Sequence, residues 1–321
     1  GIRSSRSPGT RKPFAAAPLP FRVERPNGPP LCSRSGSMDT PNLRSIATLY
    51  VELAERISTR LGSPRVRALH LPPEGSSSGR DAVFCALELE DGSIGLSYVP
   101  VRDTERLLHP RVSSDGFRGM DALALARDYA QPDPVAKAIG FAAINALSQQ
   151  LFSRADWTPP VADDSLGEIE PKAGEHIAMI GLFPPLIPRV REARARLTVL
   201  ELKPELAGEH EGFRVTLDPA GLASCEKVVS TCTVMLNDTL DAVLAVCRNA
   251  RHFAIVGPTA GCVPDPLFER GVDTIGGRRM VDAKGFLDAF GQGKKWGSFT
   301  SKYAIARQDY PGIDRLLERI G

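Results

Sequence analysis

Apolar residues recur along this chain with two different periods. Ile46, Leu49, Leu53, Ile57 and Leu61 fall at helical spacing and stop at Gly62. Thr40 followed by Pro41 offers a cap and a first-turn proline for that helix. Shorter apolar runs at 66–71, 82–89 and 94–99 read as strands. The last two are joined across Glu90-Asp91-Gly92-Ser93, a hairpin sequence. Helical patterns return at 120–130 and 134–151. The second contains AIGFAAINALSQQ, where Gly140, Ala142, Ala143 and Ala146 leave room for another backbone to approach. Residues 38–152 are therefore expected to form an α+β domain, with Asn145 a candidate polar contact on its small-residue helix.

Residues 153–172, SRADWTPPVADDSLGEIEPK, have the composition of a linker. Beyond them the rhythm changes. Apolar runs at 177–183, 197–202, 227–231, 253–256 and 272–275 alternate with helical patterns near 186–195, 239–249, 264–270 and 282–290. Short buried strands separated by helices predict a parallel, doubly wound sheet. The fold class is thus α/β: a Rossmann-like domain over 173–321, preceded by the smaller α+β domain.

In such a sheet, ligands bind beyond the carboxyl ends of the strands. The loops there read IGLFPPLIP, LELKPELAGEH, STCTVMLNDTL and GPTAG. They offer Gly181, Phe183, Glu201, Thr231, Thr233, Asn237, Thr239, Gly257, Pro258 and Thr259 as candidate ligand-binding residues. The set is hydroxyls, one amide, one carboxylate and bare backbone. Gly257 lets a ligand approach the main chain, and Pro258 stiffens the loop. Asn237 or Asp238 equally suits a helix cap before Thr239.

A dinucleotide is a poor match. Glu201 stands 20 residues after Gly181, the offset of a ribose-binding acid, but the first loop lacks G-x-G-x-x-G. Pro184 and Pro185 occupy the helix opening and have no N–H for a pyrophosphate. The five histidines form no HxxxH, HExxH or HxH, and the six cysteines no CxxC. Irregular spacing in a chain of 321 residues suggests reduced thiols, and with no apolar signal region a cytoplasmic protein is expected.

Charge is uneven. Residues 1–37 carry +6, rich in Pro, Ser, Gly and Arg, and are expected to be a disordered extension before Met38. The remainder carries −4 and shows no nucleic-acid footprint. No apolar run reaches the roughly 18 residues of a membrane span, so no membrane partner is expected. A homo-oligomer is compatible with the pattern.

The stretches IAMIGLFPPLIPRV, LTVLELKPELAGEH, VVSTCTVMLNDTLDAVL and AIVGPTAGCVPDPLFERGVDTIGG resemble, in order and spacing, the family of unknown function labelled for heavy-metal chelation. DAVFCALELEDGSIGLSYV and KAIGFAAINALSQQ are similar to its partner N-terminal domain. The resemblance spans about residues 42–290. It implies a prokaryotic protein with an enolase-N-terminal-like domain, then a Rossmann-like domain, and a site in the cleft between them. It also implies a metal ion or metal chelate as ligand, although the sequence shows no ordinary metal-ligand motif. Two functions follow from these residues. One is binding of a metal chelate or its precursor, with the GPTAG loop, Gly181, Phe183, Thr231, Thr233 and Asn237 as pocket walls. The other is an enzyme acting on such a molecule, with Glu201 or Asp265 as acid/base.

Overall fold

The computed structural model describes residues 44–73, 83–99, 114–164 and 166–320. The expected disorder of 1–37 and the Thr40 cap lie outside them. The first helix, α1 (Ile46–Leu61), is capped instead by Ser45, whose hydroxyl accepts from the Thr48 N–H. Gly62 ends it in a left-handed turn with φ 78°.

Three strands follow as an antiparallel sheet in the order β1-β2-β3: β1 (Val66–His70), β2 (Val83–Leu89) and β3 (Ile94–Val99). Two helices, α2 (Ala122–Ala126) and α3 (Pro134–Arg154), complete this part. Asp133 caps α3 through the Val135 and Ala136 amides, and Pro134 takes the first turn.

The helix α3 lies directly on β3. A Cβ on Gly95 would sit 2.1 Å from the Ala142 oxygen and 2.2 Å from the Ala146 nitrogen. The small residues in α3 are therefore where the strand's main chain meets the helix. Every residue from 137 to 148 is buried, more than three turns without an exposed face. Tyr50, Phe141, Leu147 and Leu151 anchor the core there. Each such side chain contributes about 1.5–3 kcal/mol by leaving water.

The larger sheet has eight strands in the order β11-β10-β9-β8-β4-β5-β7-β6. They are β4 (His176–Ile180), β5 (Arg196–Leu200), β6 (Gly208–His210), β7 (Phe213–Thr216), β8 (Lys227–Thr231), β9 (His252–Val256), β10 (Thr274–Met280) and β11 (Thr300–Ala306). Six neighbouring strands, from β10 to β7, pair in parallel, and β11 and β6 close the edges antiparallel. The switch point lies between β4 and β8. Helices α4 (Leu186–Glu192), α5 (Leu240–Val246), α6 (Asp265–Glu269), α7 (Ala283–Gly291) and α8 (Ile313–Glu318) flank it.

Strands β6, β7 and β11 had no counterpart in the sequence reading. The first two are short and largely exposed, so burial leaves little apolar signature. Residues 160–162 lie along β11, with Ala304 N–H donating to the Pro160 carbonyl and Ala162 N–H to that of Lys302. Leu166 and Ile169, further along the stretch of linker composition, are buried. One core cluster runs from α1 and β2 through α3 to β8, β9 and α8.

Candidate functional site

The carboxyl ends of β4, β8 and β9 are adjacent, and three of the sequence-selected residues meet there. Gly181, just past β4, adopts φ 77°, and a Cβ on it would lie 3.0 Å from Thr231 Cγ2. Gly257, just past β9, has φ 138°, and its Cβ would lie 3.8 Å from that of Cys232. Positive φ at both points favours glycine. Thr231 ends β8 half-exposed, its hydroxyl accepting from the Thr233 N–H at 3.4 Å. A one-turn 3-10 helix over Cys232–Met235 then carries the chain away.

Glu201 continues the row just past β5, half-exposed, its Oε1 accepting from the Leu202 N–H. Phe183 is half-buried against the second core cluster. Pro258 is also half-exposed. Asn237 and Thr239 stand apart from this row. Asn237 is exposed, and its carbonyl oxygen accepts from the Thr239 hydroxyl at 2.6 Å and amide at 3.3 Å. It does not cap α5: the residue before that helix is Thr239, which makes no side-chain cap bond. Its neighbour Asp238, left-handed at φ 59°, reaches back to α3 and takes both carboxylate oxygens to Lys137 Nζ at 2.6 Å. Lys137 is buried, and nothing in its helical context marked it for this partner.

The rest of the GPTAG loop turns inward. Thr259 is only 2% exposed, and its hydroxyl accepts the Tyr98 N–H of β3 at 2.9 Å. Asn145 is fully buried and its amide nitrogen donates to the carbonyls of Leu96, 2.6 Å, and Thr259, 2.7 Å. Tyr303 donates to the Ala260 carbonyl, Gln149 to that of Gly261, and Tyr50 to that of Val263. The Val263 N–H donates to the Ser148 hydroxyl. Residues 259–263 thus satisfy their backbone through side chains of α1, α3 and β11 and use Thr259 to hold β3.

Metal ligation was tested against these residues. Among the described residues, no group of three or more His, Cys, Asp and Glu could hold a metal ion. The five described cysteines are free and buried. Burial pushes the Cys262 thiol up to about 12 and the Cys232 thiol well above its ordinary value. His70 pairs with Glu88, His176 lies between Ser224 and Thr198, and His252 meets the Gly167 carbonyl. Asp265 is taken by the Tyr310 hydroxyl and the Ile313 N–H. The strand-end row therefore does not fit a bare metal ion.

Comparison with known proteins sets these features in context. A family model, DUF364, described as "Putative heavy-metal chelation", matches residues 165–308. A second, DUF4213, with the same description, matches 82–148. An uncharacterized protein of Methanocaldococcus jannaschii is 30% identical over 154 residues, 47% of this chain. The chain spans 57% of that relative. A DUF364-family protein of unknown function from Desulfitobacterium hafniense shares the fold with TM-score 0.61 and 22% identity, over 81% of this chain and 99% of that one. Another, from Pyrococcus horikoshii, gives TM-score 0.58 and 18% identity, over 80% and 99%. Among the described residues, no helix is long and apolar enough to cross a membrane.

Proposed function

We propose that this chain, which belongs to the two-domain family whose halves are both described as "Putative heavy-metal chelation", binds a small polar ligand beyond the ends of β4, β8 and β9. The ligand is a metal chelate or its organic precursor. One observation carries this reading: Gly181, Thr231 and Gly257, each half-exposed, come together at adjacent strand ends around the switch point. The two glycine N–H groups donate to the Leu200 and Gly276 carbonyls, leaving the Thr231 hydroxyl as the polar group that faces a ligand. A metal reaching this row brings its own coordinating atoms, since Glu201 is the row's one carboxylate and no group of three or more metal-ligating side chains forms among the described residues. The protein recognises the organic part through the Thr231 hydroxyl and Pro258, with Glu201 at one side.

Acid/base catalysis on the same molecule is the weaker reading. It needs a titratable pair, and Asp265 is engaged by the C-terminal segment. That leaves Glu201 as the remaining acid of the two.

Native mass spectrometry with metal analysis of freshly purified protein tests the proposal. A non-covalent adduct is expected in the parent and lost in Thr231→Val and Gly257→Val, with folded mass and melting of Thr231→Val unchanged. An adduct retained by both variants, or none in the parent, rejects it.

A further inference from the structure

The end of the β10–β11 pair sets two like charges opposite each other. Arg278 and Lys302 are directly paired across the two antiparallel strands. Directly opposed residues point to one face with Cβ atoms about 4.5–5.5 Å apart, and like charges there repel. Arg279, Lys294 and Lys295 add three exposed cations within the same short stretches of chain. Among the described residues, no carboxylate forms an ion pair with any of the five. The neighbouring acids are committed elsewhere: Asp282 caps α7 through the Gly285 N–H, and Asp288 pairs with Lys284.

Arg278 is held in place rather than free in water. Its Nη1 donates to the Thr300 hydroxyl at 2.8 Å, and its guanidinium lies 5.8 Å from the centre of the Trp296 ring. It is half-buried, and desolvation lowers its pKa from the ordinary arginine value. The Trp296 ring packs edge-on against Phe84, and Phe84 against Tyr98 of β3. A fixed guanidinium, an opposed ammonium and an aromatic wall make a preorganised seat for an anion. Arginine's planar fork suits a bidentate oxyanion.

We infer that Arg278 and Lys302, backed by Trp296, bind a multiply charged oxyanion, the phosphate or polycarboxylate group of a small molecule. The anion removes the cross-strand repulsion and replaces water around Arg278. This inference stands apart from the strand-end row, so its failure leaves that reading in place.

The test is calorimetric titration and thermal melting of the full chain with inorganic phosphate and, separately, citrate, each against chloride at equal ionic strength. At least one oxyanion is expected to bind saturably and raise the melting temperature. Arg278→Gln and Lys302→Gln should each weaken binding about tenfold or more, the scale of a charged hydrogen bond. In chloride alone, Lys302→Gln should melt no lower than the parent, because repulsion has been relieved. Binding of phosphate only assigns a phosphate-bearing ligand, and binding of citrate only a polycarboxylate. No oxyanion effect beyond chloride, or unchanged affinity in both variants, overturns the inference.

Discussion

The loops that follow β8 and β9 leave neighbouring strands at the same edge of one sheet, yet they are put to opposite uses. After β8, Thr231 stays half-exposed and Asn237 is exposed, bonded only within its own turn. After β9, only Gly257 and Pro258 keep partial exposure, while Thr259 and the residues behind it are buried and bonded to other elements. The difference arises from what stands opposite. The β9 loop faces α3 and β3: side chains of α3 bond its backbone, and the Thr259 hydroxyl accepts the Tyr98 N–H of β3. In the β8 loop, Cys232, Val234 and Met235 are buried and Tyr129 donates to the Met235 carbonyl, while Thr231, Asn237 and Asp238 keep exposure, Asp238 pairing with Lys137. A hydroxyl at a strand end is thus half-exposed or a structural tie according to its neighbour, not its position along the strand.

The largest expected effect breaks the surface on which that neighbour rests. Gly95→Ala drives a methyl into the α3 backbone at 2.1 Å. It should cost at least about 3 kcal/mol, the upper end for overpacking, measured by urea denaturation. Gly291→Ala, whose Cβ meets nothing within 4 Å, is the control and should melt as the parent does. Equal stability of the two variants would mean that α3 shifts freely on β3.

Thr259→Val comes next. It keeps the shape but leaves the Tyr98 N–H without its acceptor, a loss of about 1–3 kcal/mol. Affinity at the strand-end row should remain unchanged. Weaker binding with unaltered stability would return Thr259 to the ligand. Asn237→Ala should give the smallest effect, within about 0.5 kcal/mol, as expected for an exposed side chain bonded only to its own turn. A larger loss in its melting curve would show that the β8 loop is as firmly built in as its neighbour.

Much of this architecture could be read from the sequence because it is written in local periodicity. The alternation of apolar runs and helical patterns after residue 173 predicts the parallel sheet, and β4, β5, β8, β9 and β10 lie where those runs fall. The small residues of α3 foretell close approach, and Gly95 is what approaches. What stayed hidden depends on distant partners. Thr259 and Asn145 carry no mark that separates an inward hydroxyl or amide from an outward one; Tyr98 and Leu96, far away in sequence, decide it. Asp238 looked like a helix cap because its match, Lys137, sits about a hundred residues earlier. Arg278 and Lys302 are a pair only through the return of β11 beside β10, a strand that carries no clear apolar alternation at its start.

The unbroken burial of α3 from 137 to 148 has a mechanical consequence. A helix wet on one side can slide or tilt when a cleft opens; this one has no free side on which to move. Its side chains also hold the backbone of residues 259–263, so α3 ties the small sheet to the large one. Under the proposed function, a ligand then reaches the strand-end row past the surface turns around it rather than through an opening and closing of two jaws.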